Sequence, residues 1–137
     1  MRVAVVYVPA GRPDALASLA KSLVAAFEAA GHRAELFEPG SSLTRLPAFD
    51  YVAFGTEAAG LGGKIPPRIK DLLAQAVGLQ GKRSFAFVRK SGLRPAKTLS
   101  RLMAVMEAEG MYVNDSEILG TAEEAAAAAR AAPVERK

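Results

Sequence analysis

The chain has 137 residues, half of them hydrophobic, which predicts one globular domain spanning residues 1–137. It contains no cysteine, which excludes disulfides, thiolate metal sites and cysteine nucleophiles. Lysine and arginine outnumber aspartate and glutamate by 18 to 14, and the net charge is +4, so the chain either binds anionic partners or simply has a basic solvated surface.

Other patterns exclude further classes of protein. No apolar run approaches the roughly 20 residues that a membrane helix needs, and no signal-peptide pattern precedes the first strand. No basic run is interleaved with aromatic residues, as a single-stranded nucleic-acid groove would require. We therefore expect a cytoplasmic protein that binds neither membranes nor nucleic acids.

Candidate catalytic and metal-binding residues are few. His32 is the only histidine, which excludes a histidine-based triad and a histidine-rich metal site. Asn114, Asp115 and Glu117 are interpreted as loop and surface residues. The sequence therefore predicts no catalytic residue and no metal site.

The first stretch predicts a strand, a tight loop and the start of a helix. Residues 3–8 form a short apolar run rich in valine, typical of a strand buried on both faces. Gly11 is interpreted as adopting a backbone conformation that a Cβ would oppose, and Pro13 suits the first position of a helix. In a doubly wound sheet this junction lies beside the topological switch point, where ligands bind.

Later segments alternate between helical and strand patterns. The helix from residue 13 is expected to end before Gly31. The remaining predicted elements are a strand at 32–38, a short helix or turn around 42–46, a strand at 50–55, a glycine-rich loop at 56–64, a helix opened by Pro66 and Pro67, a strand at 83–88, a loop at 89–94, a helix closed by Gly110, a strand beginning at Met111, and a final helix capped by Thr121 and Glu124. This order predicts parallel strands connected by helices.

These segments carry a resemblance to a known family. Residues 54–88, FGTEAAGLGGKIPPRIKDLLAQAVGLQGKRSFAFV, resemble the central section of the flavodoxins: a strand ending in F-G-T/S, a glycine-rich loop, P-P-x-x-K-x-L-L and G-K-x-x-x-x-F. The segment YVPAGRPD is similar to the family's first strand and its [ST]-x-[ST]-G-x-[ST] phosphate loop. Residues 92–113 resemble its third loop, next helix and fifth strand.

The resemblance implies a three-layer α/β sandwich with a five-stranded parallel sheet in the order 2-1-3-4-5. It also implies FMN as cofactor, with the phosphate on the first loop and the ring between the second and third loops. The implied activity is electron transfer or flavin-dependent reduction. The implied cofactor-binding residues are Pro9, Ala10, Gly11, Arg12, Thr56, Glu57, Gly60, Gly62, Lys64, Arg89, Lys90 and Ser91.

Two features depart from the family pattern. The hydroxyl positions of the phosphate loop fall on Val8, Ala10 and Pro13, whose side chains donate no hydrogen bond. Arg12 either compensates by binding phosphate or is a solvated loop residue. The second and third loops contain no aromatic residue to stack on a flavin ring, although backbone N–H groups in the glycine-rich loop remain able to meet its polar edge.

The charge of the expected ligand edge also departs from that of acidic electron carriers. Asp14 and Glu57 are expected to be the only acids there. The cations expected to converge on it are Arg12, Lys64, Arg68, Arg89, Lys90 and Arg94. Such an edge predicts an acidic redox partner for an FMN protein. The alternative is a cofactor-free binding module that uses this edge to bind a phosphorylated small molecule or an acidic partner.

Overall fold

A computed structural model describes residues 1–135 as alternating strands and helices. The strands are β1 (Arg2–Val8), β2 (Arg33–Phe37), β3 (Tyr51–Thr56), β4 (Arg83–Arg89) and β5 (Tyr112–Leu119). The helices are α1 (Asp14–Ala29), α2 (Arg68–Gln75), α3 (Pro95–Ala108) and α4 (Ala122–Ala131). Within this described range, no helix is long and apolar enough to cross a membrane.

The sheet has the expected topology. Its five strands lie in the order β2-β1-β3-β4-β5, and every adjacent pair is parallel. The prediction of a parallel sheet in the order 2-1-3-4-5 is therefore confirmed. Because all the strands point the same way, their carboxyl ends lie along one edge, where the loops that follow them are brought together.

Side chains of successive strand residues point into two separate cores, one on each face of the sheet. Val3, Val5 and Tyr7 pack with α1 and α4 on one face. Ala4 and Val6 pack with α2 and α3 on the other. The central strands need apolar residues at every position because both of their faces are covered. These two cores complete the three-layer sandwich.

Several local predictions need correction. Pro13 immediately precedes α1 rather than forming its first residue. The short helix of the β2–β3 connection is a single 3₁₀ turn at Leu46–Ala48, later than the predicted segment, where Pro47 suits the start of a helical turn. The capping box of α4 is confirmed: Thr121 Oγ1 accepts from the Glu124 N–H, and Glu124 Oε1 accepts from the Thr121 N–H.

The last strand is longer than expected, because Asn114, Asp115 and Glu117 belong to β5 rather than to a loop, although Glu117 is exposed as expected. The register shifts between Ser84 and Phe85, which makes Asn114 the extra residue of a β-bulge. The buried Tyr51 hydroxyl donates to Asn114 Oδ1 at 2.8 Å, and Asn114 Nδ2 donates to the Pro133 carbonyl at 3.2 Å. The bulge thus orients the Asn114 side chain so that its hydrogen bonds join β5 to β3 and to the segment after α4.

Asp115 gives the fold a testable pH dependence. Burial raises the pKa of its carboxyl above the ordinary value, while a hydrogen bond from the Ser116 N–H acts in the opposite direction. A raised folded-state pKa means that this residue favours folding below the pKa of an unfolded aspartate, about 3.9, and that this contribution is lost as pH rises through the folded pKa.

We therefore expect Asp115→Asn to be more stable than the wild type at pH 7, by less than about 1 kcal/mol because the residue is partly exposed. The difference should disappear below about pH 3.9. Urea denaturation at pH 3.5 and pH 7 measures it, with the exposed Glu135→Gln as control. A variant less stable than the wild type at pH 7 would contradict the assignment.

Candidate functional site

Three loops follow the adjacent strands β1, β3 and β4 at the carboxyl edge of the sheet. We call them the first loop (residues 9–13), the second loop (57–67) and the third loop (90–94). All twelve residues implied by the resemblance lie on these loops or on the strand ends that enter them. Their convergence at one edge follows from the sheet order, whereas their individual contacts depend on the loops.

A buried carboxylate joins the three loops. Glu57 is only 3% exposed, although it opens a surface loop. Its Oε2 accepts from the Ala10 N–H at 2.9 Å, and its Oε1 accepts from Arg89 Nε at 2.7 Å. Glu57 thus binds the backbone of the first loop and the residue that enters the third loop. A charged acceptor and a charged donor make these contacts stronger than neutral hydrogen bonds.

Two further side chains bind backbone carbonyl groups at the junction between β1 and the first loop. Thr56 Oγ1 donates to the Val8 carbonyl at 2.6 Å, and both residues are buried. Arg68, at the start of α2, donates to the Pro9 carbonyl. Thr56 and Arg68 therefore satisfy backbone acceptors of the chain itself.

Gly11 needs no special backbone conformation, contrary to the sequence interpretation. It is not among the glycines with positive φ, and a Cβ built on it would meet nothing within 4 Å. The first loop is turned instead by Pro9 and Pro13, whose rings fix φ and remove two N–H donors. The glycine of this loop is therefore not required by sterics.

The second loop forms a tight turn that requires glycine. The Ala59 N–H donates to the Lys64 carbonyl at 2.7 Å, which closes the turn. Gly63 has φ +77°, and a Cβ there would lie 2.9 Å from Lys97 Cβ. A side chain at this position would be strained both by the backbone and by contact with α3. The loop presents Leu61 at 78% exposure.

The third loop packs directly against the second. A Cβ on Gly92 would lie 3.3 Å from Ala58 Cβ, and a Cβ on Gly63 would lie 3.4 Å from the Arg94 carbonyl oxygen. Leu93 is 82% exposed. Of the five large hydrophobic side chains exposed within residues 1–135, two therefore lie on these neighbouring loops.

Sequence reasoning missed Leu61, Leu93 and Lys97. Leu61 lies between Gly60 and Gly62, and Leu93 lies between Gly92 and Arg94, which was the available signal. Lys97 belongs to the first turn of α3, and only the close approach of Gly63 places it beside the second loop.

The charge at this edge is more mixed than expected. Arg89 is paired with Glu57, and Arg68 binds a carbonyl. Glu38 follows β2, and Glu123 and Glu124 open α4, so Asp14 and Glu57 are not the only acids at the edge. The exposed cations concentrate around the second and third loops: Lys64, Lys90, Arg94 and Lys97. Arg12 is exposed on the first loop.

Comparison with known proteins identifies the fold through structure and not through sequence. No protein-family model matches the chain, and no curated protein matches its sequence. Solved structures do match. Oxidised flavodoxin 1 from Bacillus cereus superposes with a TM-score of 0.73 at 12% identity, covering 94% of this chain and 95% of that one. The chain has a flavodoxin-like fold.

Two more flavodoxins extend the comparison. A flavodoxin from Streptococcus pneumonia TIGR4 gives a TM-score of 0.73 at 15% identity, covering 95% of this chain and 93% of that one. Two-electron reduced flavodoxin from Megasphaera elsdenii gives 0.70 at 20% identity, with coverages of 95% and 99%. These TM-scores establish the flavodoxin-like fold, and at such low identity the chemistry of the site must be argued from its own residues.

The first loop does not fit the phosphate of FMN in the manner that the resemblance implies. Val8 is buried, Ala10 has no hydroxyl and its N–H is bound to Glu57, and Pro13 has no N–H. An incoming phosphate would meet a buried carboxylate at hydrogen-bond distance from the loop backbone. The second and third loops each carry an exposed leucine, Leu61 and Leu93.

Proposed function

We propose that this flavodoxin-like chain is a flavin-dependent electron-transfer protein that binds FMN chiefly through its ring. The observation that carries the proposal is the pair of exposed leucines, Leu61 and Leu93, on two loops in contact with each other. Exposed apolar side chains on neighbouring loops at a ligand edge favour a flat, partly apolar ligand. The phosphate is expected to contribute little, because the first loop has no hydroxyl side chain, Pro13 has no N–H, and the Ala10 N–H is bound to Glu57.

Each group around the ring has a defined role in this proposal. Leu61 and Leu93 would pack against a bound flavin ring and exclude water from it. The N–H groups of the second-loop glycines would donate to its polar edge. A bound flavin would supply one- or two-electron redox chemistry. Lys64 and Arg94 would favour its reduced, anionic state by electrostatic attraction, which would raise the reduction potential and make it depend on salt.

The same cations favour an acidic redox partner. Lys64, Lys90, Arg94 and Lys97 are exposed around the second and third loops. Complementary charge increases the rate of association with an acidic surface and repels a basic one. We therefore expect transfer to an acidic partner to slow as ionic strength rises.

Comparing FMN with riboflavin tests the proposal directly, because the two share a ring and differ by the phosphate. We expect their dissociation constants, measured by quenching of flavin fluorescence, to agree within about threefold, since few charged hydrogen bonds reach the phosphate. Leu61→Asp combined with Leu93→Asp should weaken both by about tenfold or more. Val77→Asp changes a side chain that is 64% exposed outside the three loops and serves as control.

Two results would overturn the ring-centred proposal. One is FMN binding more than about thirtyfold tighter than riboflavin, which would require a working phosphate site. The other is a protein that binds neither flavin.

The second result would favour the alternative function, a cofactor-free binding module. The bound N–H of Ala10 and the exposed cations near the second loop support that alternative. It predicts salt-dependent binding of an acidic peptide or a phosphorylated small molecule. Lys64→Glu combined with Arg94→Glu should abolish this binding.

A further inference from the structure

Glu57 occupies a backbone N–H of the first loop, the Ala10 N–H, to which a bound anion could otherwise accept a hydrogen bond. Its side chain is 4% exposed, and both of its oxygens are used: one accepts from the Ala10 N–H and the other from Arg89 Nε. The first loop thus has an anion at hydrogen-bond distance from its backbone, supplied by the chain itself. Arg89, the cation nearest this anion, is occupied by the same carboxylate.

This arrangement disfavours a second anion for two reasons. A phosphate bound at the exposed first loop would lie close to the like charge of Glu57, and the burial of Glu57 weakens the screening of that repulsion by water. Glu57 also neutralises Arg89, whose Nε–H it accepts, so this guanidinium attracts a second anion less than an unpaired arginine would. Withdrawing Arg89 from Glu57 towards a phosphate would leave a buried carboxylate without its partner.

We infer that Glu57 is a specificity-determining residue that occupies the first loop in place of a phosphate and excludes phosphorylated ligands from it. The inference rests on the proposed function and deepens it, because it gives a reason to expect that FMN has no advantage over riboflavin. The inference can also be tested in the absence of flavin, because it concerns the affinity of the first loop for anions.

The test removes the charge of Glu57 in two ways. Glu57→Gln keeps the length of the side chain and an oxygen that accepts from the Ala10 N–H. Glu57→Ala removes the carboxyl group and leaves the volume that it filled beside the first loop empty. We expect the affinity for FMN to rise at least about tenfold in Glu57→Ala and by a smaller factor in Glu57→Gln, because a repelling charge is lost and Arg89 is released. Riboflavin affinity should stay within about twofold in both variants.

Controls separate this effect from net charge and from folding. Glu123→Gln removes an exposed acid at the same edge and should leave the FMN-to-riboflavin ratio unchanged. Adding Arg89→Ala to Glu57→Ala should abolish the gain. Circular dichroism shows which variants are folded, and Glu57→Gln provides the readout if Glu57→Ala does not fold.

Inorganic phosphate distinguishes failure of this inference from failure of the proposed function. Titration is followed by the NMR shifts of the Gly11 and Arg12 amides. If the wild type binds no flavin, phosphate-dependent shifts that are present in a Glu57 variant and absent in the wild type still support the inference. It is overturned if no folded variant gains affinity for phosphate or FMN, or if riboflavin gains as much as FMN.

Discussion

Replacing Gly55 with alanine is expected to lower the free energy of unfolding by about 3 kcal/mol, at the upper end for overpacking a core. A Cβ on Gly55 would lie 2.1 Å from both Cε2 and Cζ of Phe87. Phe87 is fully buried and stacks on Phe85, with ring centroids 5.8 Å apart. Its ring cannot move aside without displacing that neighbour. Urea denaturation measures the loss.

A double-mutant cycle identifies the cause. Phe87→Leu removes the ring that covers Gly55, so Gly55→Ala should cost less in that background than in the wild type, with a coupling of about 1 kcal/mol or more. Gly11→Ala is the matched control, because a Cβ there meets nothing within 4 Å and its backbone is unstrained. Strictly additive losses for Gly55→Ala and Phe87→Leu would show that the steric explanation is wrong.

The fold was predictable because its signals are local. Valine-rich strands such as Val3–Val8, buried on both faces, alternate with helices of three- and four-residue period, and that order leaves few topologies. The end of β5 was not predictable in this way. Asn114 and Asp115 are polar residues in an edge strand. Asn114 is the extra residue of a bulge, and its side chain is bound by Tyr51, which is 63 residues away in the sequence.

The site was only partly predictable, for the same physical reason. Strand order alone brings Ala10, Glu57 and Arg89 to one edge, so the sequence identifies the region. The carboxylate that joins them depends on contacts over 47 and 32 residues. No local pattern distinguishes an acid that binds a ligand from one that binds the backbone of its own chain. Burial of Glu57 decides between them.

Removing Arg89 is expected to cause the second large effect, a loss of about 3 kcal/mol for Arg89→Met at pH 7. Breaking a buried pair leaves Glu57 without a partner, and an unpaired buried charge costs more than the pair itself contributes. The Arg89 side chain is 31% exposed, so water reaches part of the pair and the loss should stay at the lower end of the range for buried pairs. Thermal and urea denaturation provide the measurement.

The compensating variant distinguishes lost charge pairing from lost packing. Glu57→Gln combined with Arg89→Met leaves a neutral amide that still accepts from the Ala10 N–H, so most of the loss should be recovered. A double variant as unstable as Arg89→Met alone would mean that Arg89 stabilises β4 by packing. Hydrogen exchange at the Ala10 amide should be faster in Arg89→Met than in the double variant, because the first loop is held only while Glu57 remains buried.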